Sequence, residues 1–366
     1  MTVEKLGSEE DQIYRDLQVH IDNQALAYPE LKSGAEIRVL KHLFDPEEAK
    51  TALYLTYKFE SIDQIFERAK ESGISKNDLE TILERMVMKG IIGQKEKEGM
   101  NYYQSWGLAI GFYEGQVHRL TPEFIKDLQD VMDDPTFGLE FLNNTPAQWR
   151  TIPIEKSISP EHKVSTYDEL EKLIMNSEGP FCILECICRQ KKHLQGEPCK
   201  VTSRLETCLG FGDLAALGIK RKIGRAASKE EALETLRKNQ EEGLVLNSSN
   251  SQKAEFICSC CGCCCGMLHA HHILPDPSIF WINNFYAEID SDLCIGCQTC
   301  VPRCQANAIK FKKSKNLSIV NLKKCIGCGN CVAVCPEEAI QLIKKENESV
   351  PPETFEDLLD TMKSNR

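Results

Sequence analysis

The sequence predicts an α+β chain of several domains: a mostly helical N-terminal domain closed by a hairpin, a cysteine-rich middle domain, and a small C-terminal domain built on a doubled cysteine motif. Three observations carry this expectation. At 366 residues the chain exceeds the length at which a single hydrophobic core stops growing. Its first 120 residues show helix-start signals and helical periodicity without one cysteine. All nineteen cysteines lie between Cys182 and Cys335.

In the N-terminal domain, expected over residues 1–120, Asp45-Pro46-Glu47-Glu48 places a capping residue, a first-turn proline and an acidic third position ahead of Ala49 to Tyr57. Further helices are expected over Ser61 to Glu71 and Ser75 to Lys89. The latter repeats Leu79, Ile82, Leu83, Met86 and Val87 along one face and stops at Gly90. Ile91-Ile92 and Tyr102-Tyr103, separated by the charged stretch Lys95 to Gly99, predict a hairpin. Helices followed by such a hairpin resemble a winged helix in topology, though no sequence motif carries the likeness.

Residues 121–180 are expected to be a helical connector, with a helix from Pro122 to Met132 and prolines at 146, 153 and 160. The cysteine-rich domain is expected over 181–285 and the doubled motif over 286–345. An acidic tail follows over 346–366, with Thr354 to Met362 as a short helix.

Hydrophobic residues make up 42% of the chain and charged residues 27%, the profile of an ordinary soluble protein. Met1 to Asp11 is acidic and polar with no following apolar run, so no signal peptide is expected, and no stretch has the length to span a bilayer. Such a cysteine density then points to thiols kept reduced in the cytoplasm and used as metal ligands rather than disulfides. A net charge of -11 disfavours nucleic acid and anionic membranes as partners.

Cys294-Ile-Gly-Cys297-Gln-Thr-Cys300-Val-Pro-Arg-Cys304 has the spacing C-x2-C-x2-C-x3-C, and Cys325-Ile-Gly-Cys328-Gly-Asn-Cys331-Val-Ala-Val-Cys335-Pro336 repeats it. This pattern resembles the bacterial two-cluster ferredoxin family. The resemblance covers about 60 residues and implies crossed ligation. Cys294, Cys297, Cys300 and Cys335 would hold one four-iron four-sulfur (4Fe-4S) cluster, and Cys325, Cys328, Cys331 and Cys304 a second. Ala308-Ile309 and Ala339-Ile340 follow the two half-motifs, and Ala287-Glu288-Ile289 precedes the first, in keeping with that family's repeated strand-helix-strand pattern. One position departs from it. Gln305 stands where the family has proline after the fourth cysteine, which removes no ligand but alters a turn or the solvent access of one cluster. Zinc also binds paired C-x2-C motifs, but eight cysteines in this doubled order favour iron and sulfide.

The middle domain supplies Cys186, Cys188, Cys199 and Cys208, spaced C-x-C-x10-C-x8-C, and a run of Cys258, Cys260, Cys261, Cys263, Cys264 and Cys265. Residues two apart in an extended segment share a side, so Cys186 with Cys188, and Cys258 with Cys260, each offer a pair of thiolates to one centre. Neighbours such as Cys260 and Cys261 point apart, so the run serves two centres or one centre with spare thiols. These ten predict one or two further iron-sulfur clusters. Cys182 is the least motif-bound cysteine. The whole arrangement resembles large iron-sulfur proteins of anaerobes in which a cysteine-rich domain precedes a two-cluster ferredoxin.

Arg189, Lys191, Lys192 and His193 read either as a solvated turn or as cations offsetting thiolate charge. His269, His271 and His272 follow the cysteine run, where packing is the more common use of a histidine than ligation. Gly210-Phe211-Gly212 opens a G-x-G-x-x-A match, but Cys208 beside it is already assigned to metal. No phosphate-binding G-x4-G-K-[ST] loop occurs.

The expected function is single-electron relay between a low-potential donor and a partner oxidoreductase, as an electron-transfer protein or subunit rather than a stand-alone enzyme. Redox proteins are the expected partners, with homo- or hetero-oligomer contacts through the N-terminal domain. Two alternatives remain at this level: a redox-sensing winged-helix DNA-binding regulator, and a reductase subunit with an open-site cluster in the middle domain. Against the regulator, acidic residues outnumber basic ones over residues 1–120, and the expected recognition helix carries Asp78, Glu80 and Glu84.

Overall fold

The computed structural model describes residues 9–143, 145–158, 165–274, 276–277 and 281–366. Residues 1–8, the larger part of the Met1 to Asp11 stretch from which the lack of a signal peptide was read, and Pro160 lie outside the described residues. The chain divides into two compact units, one of residues 1–145 with 359–366 and one of residues 146–358.

In the first unit, α1 (Glu9–Asp22), α2 (Ala35–Leu43) and α3 (Pro46–Ala52) precede β1 (Glu60–Ser61), α4 (Ile62–Ala69), α5 (Lys76–Lys89), β2 (Ile92–Lys97) and β3 (Met100–Ser105); α6 (Pro122–Met132) and α7 (Pro135–Leu142) follow. The capping signals act as their chemistry dictates. Asp45 accepts from the Glu48 N–H at 2.9 Å, and Glu48 accepts in return from the Asp45 N–H at 3.0 Å. α3 nonetheless stops at Ala52, short of the expected Tyr57, because the chain turns to bury Leu55, whose carbonyl accepts from His20 Nε2 at 2.7 Å. α5 buries Leu79, Ile82, Leu83, Met86 and Val87 and ends at Gly90 in the left-handed conformation.

The hairpin strands run further than the charge pattern suggested. Lys97 pairs with Met100, leaving only Glu98 and Gly99 as the turn, both at positive φ (54° and 75°). Lys95 to Lys97 therefore belong to a strand, whose solvated end tolerates charge. The three strands lie in the order β1-β3-β2.

The second unit opens with β4 (Trp149–Ile152), α8 (Leu170–Asn176), β5 (Phe181–Glu185), α9 (Ile187–Leu194), β6 (Glu206–Phe211) and α10 (Gly212–Lys220). It continues through β7 (Gly224–Ala227), α11 (Lys229–Glu242), β8 (Val245–Ser249), β9 (Phe256–Cys260) and α12 (Gly266–Ile273). The strands form one antiparallel sheet in the order β4-β8-β9-β6-β5-β7. Residues 121–180 are thus not one helical connector: α6 and α7 belong to the first unit, and β4 is an edge strand of the sheet in the second. β4 was illegible because Arg150 sits at its centre, and only a distant residue, Asp168, neutralises that buried charge at 2.6 Å.

Side-chain alternation splits the sheet chemically. Ile183, Leu209, Phe211, Leu246 and Ile257 face one side, where Leu170, Leu173 and Ile174 of α8 and Leu233 and Leu236 of α11 cover them. Cys208, Cys258 and Cys260 occupy the alternate positions and face the other side. Leu209 pairs with Ile257, so continuing that antiparallel register sets Cys208 opposite Cys258.

The C-terminal part comprises β10 (Phe285–Ile289), α13 (Cys300–Arg303), β11 (Ile309–Lys312), β12 (Leu317–Val320) and β13 (Ile340–Lys344). β10 pairs with β13 and β11 with β12, so the first and last strands of the doubled motif close on each other. It docks against the turn between α11 and β8. Arg303 donates to the carbonyls of Gln240 and Glu241, both at 2.8 Å, and Asn330 donates to those of Gly243 and Leu244 at 3.1 and 3.3 Å. Gly243 is required there twice over, since its φ is +86° and a Cβ would lie 2.6 Å from the Arg303 guanidinium.

The final helix, α14 (Phe355–Ser364), crosses the unit boundary, and the expected acidic tail is not free. Lys253 pairs with Glu353 in the second unit, and Tyr57 donates to Asp360 in the first at 2.8 Å. No described helix is long and apolar enough to cross a membrane.

Candidate metal centres

In the C-terminal part, three thiols of the first half-motif and one of the second converge. Cys294, Cys297, Cys300 and Cys335 line one pocket with Ile289, Ile295 and Ile340. Cys304 neighbours Cys325, Cys328 and Cys331 electrostatically, so the fourth cysteine of the first half sits among three of the second. Main-chain donors point at these sulfurs: the Ala287 N–H donates to Cys325 Sγ at 3.3 Å and the Ala308 N–H to Cys304 Sγ at 3.2 Å. Residues 287–342 match the 4Fe-4S dicluster domain family. No curated protein and no solved structure matches the chain.

The thiols of the dicluster domain suit such clusters. Burial, with Cys304 and Cys325 adding, pushes the Cys328 thiol up to about 12, and burial holds Cys331 well above its usual value. Crowded thiols of this kind become stable thiolates only beside a metal's positive charge. The two groups differ in exposure. Cys297 is exposed, as are the apolar side chains of Leu293 and Ile295 near it, whereas Cys328 and Cys331 are buried towards the sheet.

The ten central cysteines regroup in space. Cys186, at the N-terminus of α9, is hydrogen-bonded to Cys188 and Cys208; Cys208 to Cys258; Cys258 to Cys260; Cys260 to Cys265, at the N-terminus of α12; and Cys265 to Cys188. Six thiols close a ring. The strands supply three, and two helix starts, whose dipoles favour thiolate, supply the rest. Cys199, Cys261, Cys263 and Cys264 form a second group, with all four sulfurs within 4.8 Å of one another. Cys199 thus leaves the C-x-C-x10-C-x8-C set to which spacing assigned it. Two consecutive pairs separate, Cys260 from Cys261 and Cys264 from Cys265, while Cys263 and Cys264 stay together. Cys182 joins neither group; it is fully buried against Gly218 and Gly224, and burial raises its thiol to about 11.

Arg189 stands between the two groups. It is 2% exposed, which excludes a solvated turn, and it donates to the Ser259 carbonyl at 2.7 Å and to Thr207 Oγ1. It also donates to Cys261 Sγ at 3.8 Å, and its charge acts on Cys186 and Cys208. A hydrogen bond from Cys264, with the Arg189 charge acting against burial, brings Cys261 down to about 5. Lys191 is buried as well and favours the thiolate of Cys188, while His193 is exposed.

None of the three histidines joins a sulfur group. Burial lowers His271 to about 4, and His272 Nε2 donates to the Gln305 carbonyl at 2.8 Å. Gly210-Phe211-Gly212 does end a strand and open a helix, but its neighbouring strands run antiparallel, unlike a dinucleotide fold.

Sequence reasoning missed the contacts between the dicluster domain and the cysteine run. Gln305 Oε1 accepts from the Gly262 N–H at 2.9 Å, directly joining the residue after Cys304 to the one between Cys261 and Cys263. A Cβ on Gly262 would lie 2.7 Å from the Gln305 carbonyl, so glycine alone permits the approach. The readable signal was the glutamine itself, at the position where the ferredoxin pattern has proline.

Proposed function

We propose an iron-sulfur electron-transfer role for the chain, which the dicluster domain and the cysteine-rich sheet support. We propose that the second unit is a directional relay, with the 4Fe-4S sites of the dicluster domain at its outer end and a further iron-sulfur centre at the six-thiol ring at its inner end. Clusters bound at these thiols supply one-electron redox chemistry. The hydrogen bond from Gly262 to Gln305 carries the proposal, because it joins the residue after Cys304 to the cysteine run that contains Cys260 and Cys265 of the ring.

Other residues support the same direction. Exposed Cys297, with Leu293 and Ile295 beside it, presents an apolar face to a redox protein, the expected donor. Leu244, whose carbonyl accepts from Asn330, packs against Cys261 and Cys264, a second connection between the same partners. Arg189 and Lys191 offset charge near the central thiols, which favours acceptance of an electron there. The first unit, with its helices and three-stranded sheet, is assigned to winged-helix topology and protein contact rather than to redox chemistry.

The experiment is electron paramagnetic resonance of the anaerobically purified, progressively reduced chain beside iron and sulfide assays. Iron beyond the roughly 8 atoms of two cubes, with a third signal arising on reduction, supports the relay. Cys186→Ser with Cys188→Ser should remove that signal, and Gln305→Pro should slow its appearance without lowering the iron content. A wild-type iron content that stays near 8 would sink the proposal.

A further inference from the structure

The four-cysteine group has the dimensions of a single-ion site. Its sulfur separations are 3.6 Å for Cys199 to Cys261, 3.8 Å for Cys199 to Cys263, 3.6 Å for Cys261 to Cys263 and 3.7 Å for Cys263 to Cys264. A tetrahedral ion with metal-sulfur bonds of about 2.3 Å requires sulfur-sulfur edges of about 3.8 Å. A four-iron cube holds its thiolates further apart, because each binds a different corner.

The same molecule supplies the comparison. Among the described residues, this is the only set of three or more metal-binding side chains whose ligand atoms all lie within 4.8 Å of one another. The dicluster cysteines, in a segment that matches a 4Fe-4S family, are spread more widely, and so is the six-thiol ring, where contact runs from neighbour to neighbour. Local structure fits a single ion too. Cys261 and Cys264 have C-x2-C spacing, and the turn between them is closed by the Cys264 N–H donating to the Cys261 carbonyl at 3.3 Å. The Val201 N–H donates to Cys199 Sγ at 3.4 Å, and Arg189 to Cys261 Sγ, so the excess negative charge of four thiolates around a divalent ion meets donors on two sides.

We propose that Cys199, Cys261, Cys263 and Cys264 bind one tetrahedral, thiophilic metal ion, zinc or iron, separate from every iron-sulfur cluster in the chain. The ion forms four metal-sulfur bonds as whatever thiol protons remain on the four cysteines leave to solvent, and no inorganic sulfide enters. The proposal stands on sulfur geometry and does not need the relay.

The test is metal and acid-labile sulfide analysis of the full chain, purified without oxygen, as wild type, Cys199→Ser and Cys186→Ser. Cys199→Ser should lose about one metal ion per chain with sulfide unchanged, and the element lost distinguishes zinc from iron. Cys186→Ser should instead lose iron and sulfide together. A parallel loss of about four irons and four sulfides in Cys199→Ser would mean a cube, and no loss would mean an empty site; either result overturns the proposal. Should Cys199→Ser fail to fold, wild-type protein decides by zinc-edge X-ray absorption, or by Mössbauer spectroscopy of iron-57-enriched protein if zinc is absent. One metal with four sulfurs at about 2.3 Å and no metal neighbour is expected, and its absence overturns the proposal.

Discussion

Arg303 Nη2 lies 2.8 Å from the carbonyl oxygens of both Gln240 and Glu241, so a side chain of the dicluster domain caps the last turn of α11 in the sheet. The Gln240 carbonyl also accepts from the capping Gly243 N–H at 3.0 Å, and a guanidinium at a helix C-terminus adds a second donor and complements the dipole. Arg303→Ala should therefore lower stability of the second unit by about 1–3 kcal/mol, read as a lower urea midpoint under anaerobic conditions. An unchanged midpoint would show that the contact contributes nothing to docking.

Cys304→Ser and Cys335→Ser should each perturb the cluster whose other three ligands come from the opposite half-motif. Cys335 shares a pocket with Cys294, Cys297 and Cys300, while Cys304 neighbours Cys325, Cys328 and Cys331. Because the first group includes exposed Cys297 while the second has no exposed cysteine and buries Cys328 and Cys331, the two signals should differ in sensitivity to an aqueous paramagnetic relaxant. If Cys304→Ser altered only the solvent-sensitive signal, crossed ligation would be wrong.

Replacing Arg150 with methionine should cost about 3–5 kcal/mol, since it leaves the Asp168 carboxylate buried with Asn284 as its remaining strong donor at 2.7 Å. Burial already raises the Asp168 carboxyl above its ordinary value even with Arg150 present. Without the guanidinium that rise should grow. A carboxyl with a raised folded-state value is penalised when charged, so the defect of Arg150→Met should be full at neutral pH and shrink as pH falls through that value. Chemical denaturation at two pH values tests this, and a defect that deepens on acidification would contradict it.

Specific DNA binding by the first unit should be weak or absent at physiological salt. The cations of α5 are committed: Arg85 pairs with Glu47 and Glu48, and Lys89 with Glu48 and Asp45. Glu84 on the same helix accepts from Tyr103 Oη at 2.9 Å, tying helix to hairpin and adding negative charge where phosphate would approach. Fluorescence polarisation with genomic fragments is the measurement. Sequence-selective nanomolar binding, lost on neutralising the helix with Lys76→Ala and Arg85→Ala, would favour a regulator instead.

The sequence by itself determined whatever depends on neighbours along the chain. The Asp45 and Ser75 caps, the Gly90 stop and the buried stripe of α5 were legible because capping and helical periodicity act within one or two turns. The doubled cysteine motif was legible for the same reason, since a tight turn presents three thiols locally. Only the tertiary structure decided how distant thiols combine. Cys199 joins Cys261 rather than Cys188, and Cys208 faces Cys258, because strand pairing and sheet face set those distances and spacing along the chain does not. Likewise the sequence left Arg189 open between a solvated turn and a cation offsetting thiolate charge, and the structure buries it between two sulfur groups. A charge can be buried there because Ser259, Thr207 and Cys261, all remote in sequence, supply its partners.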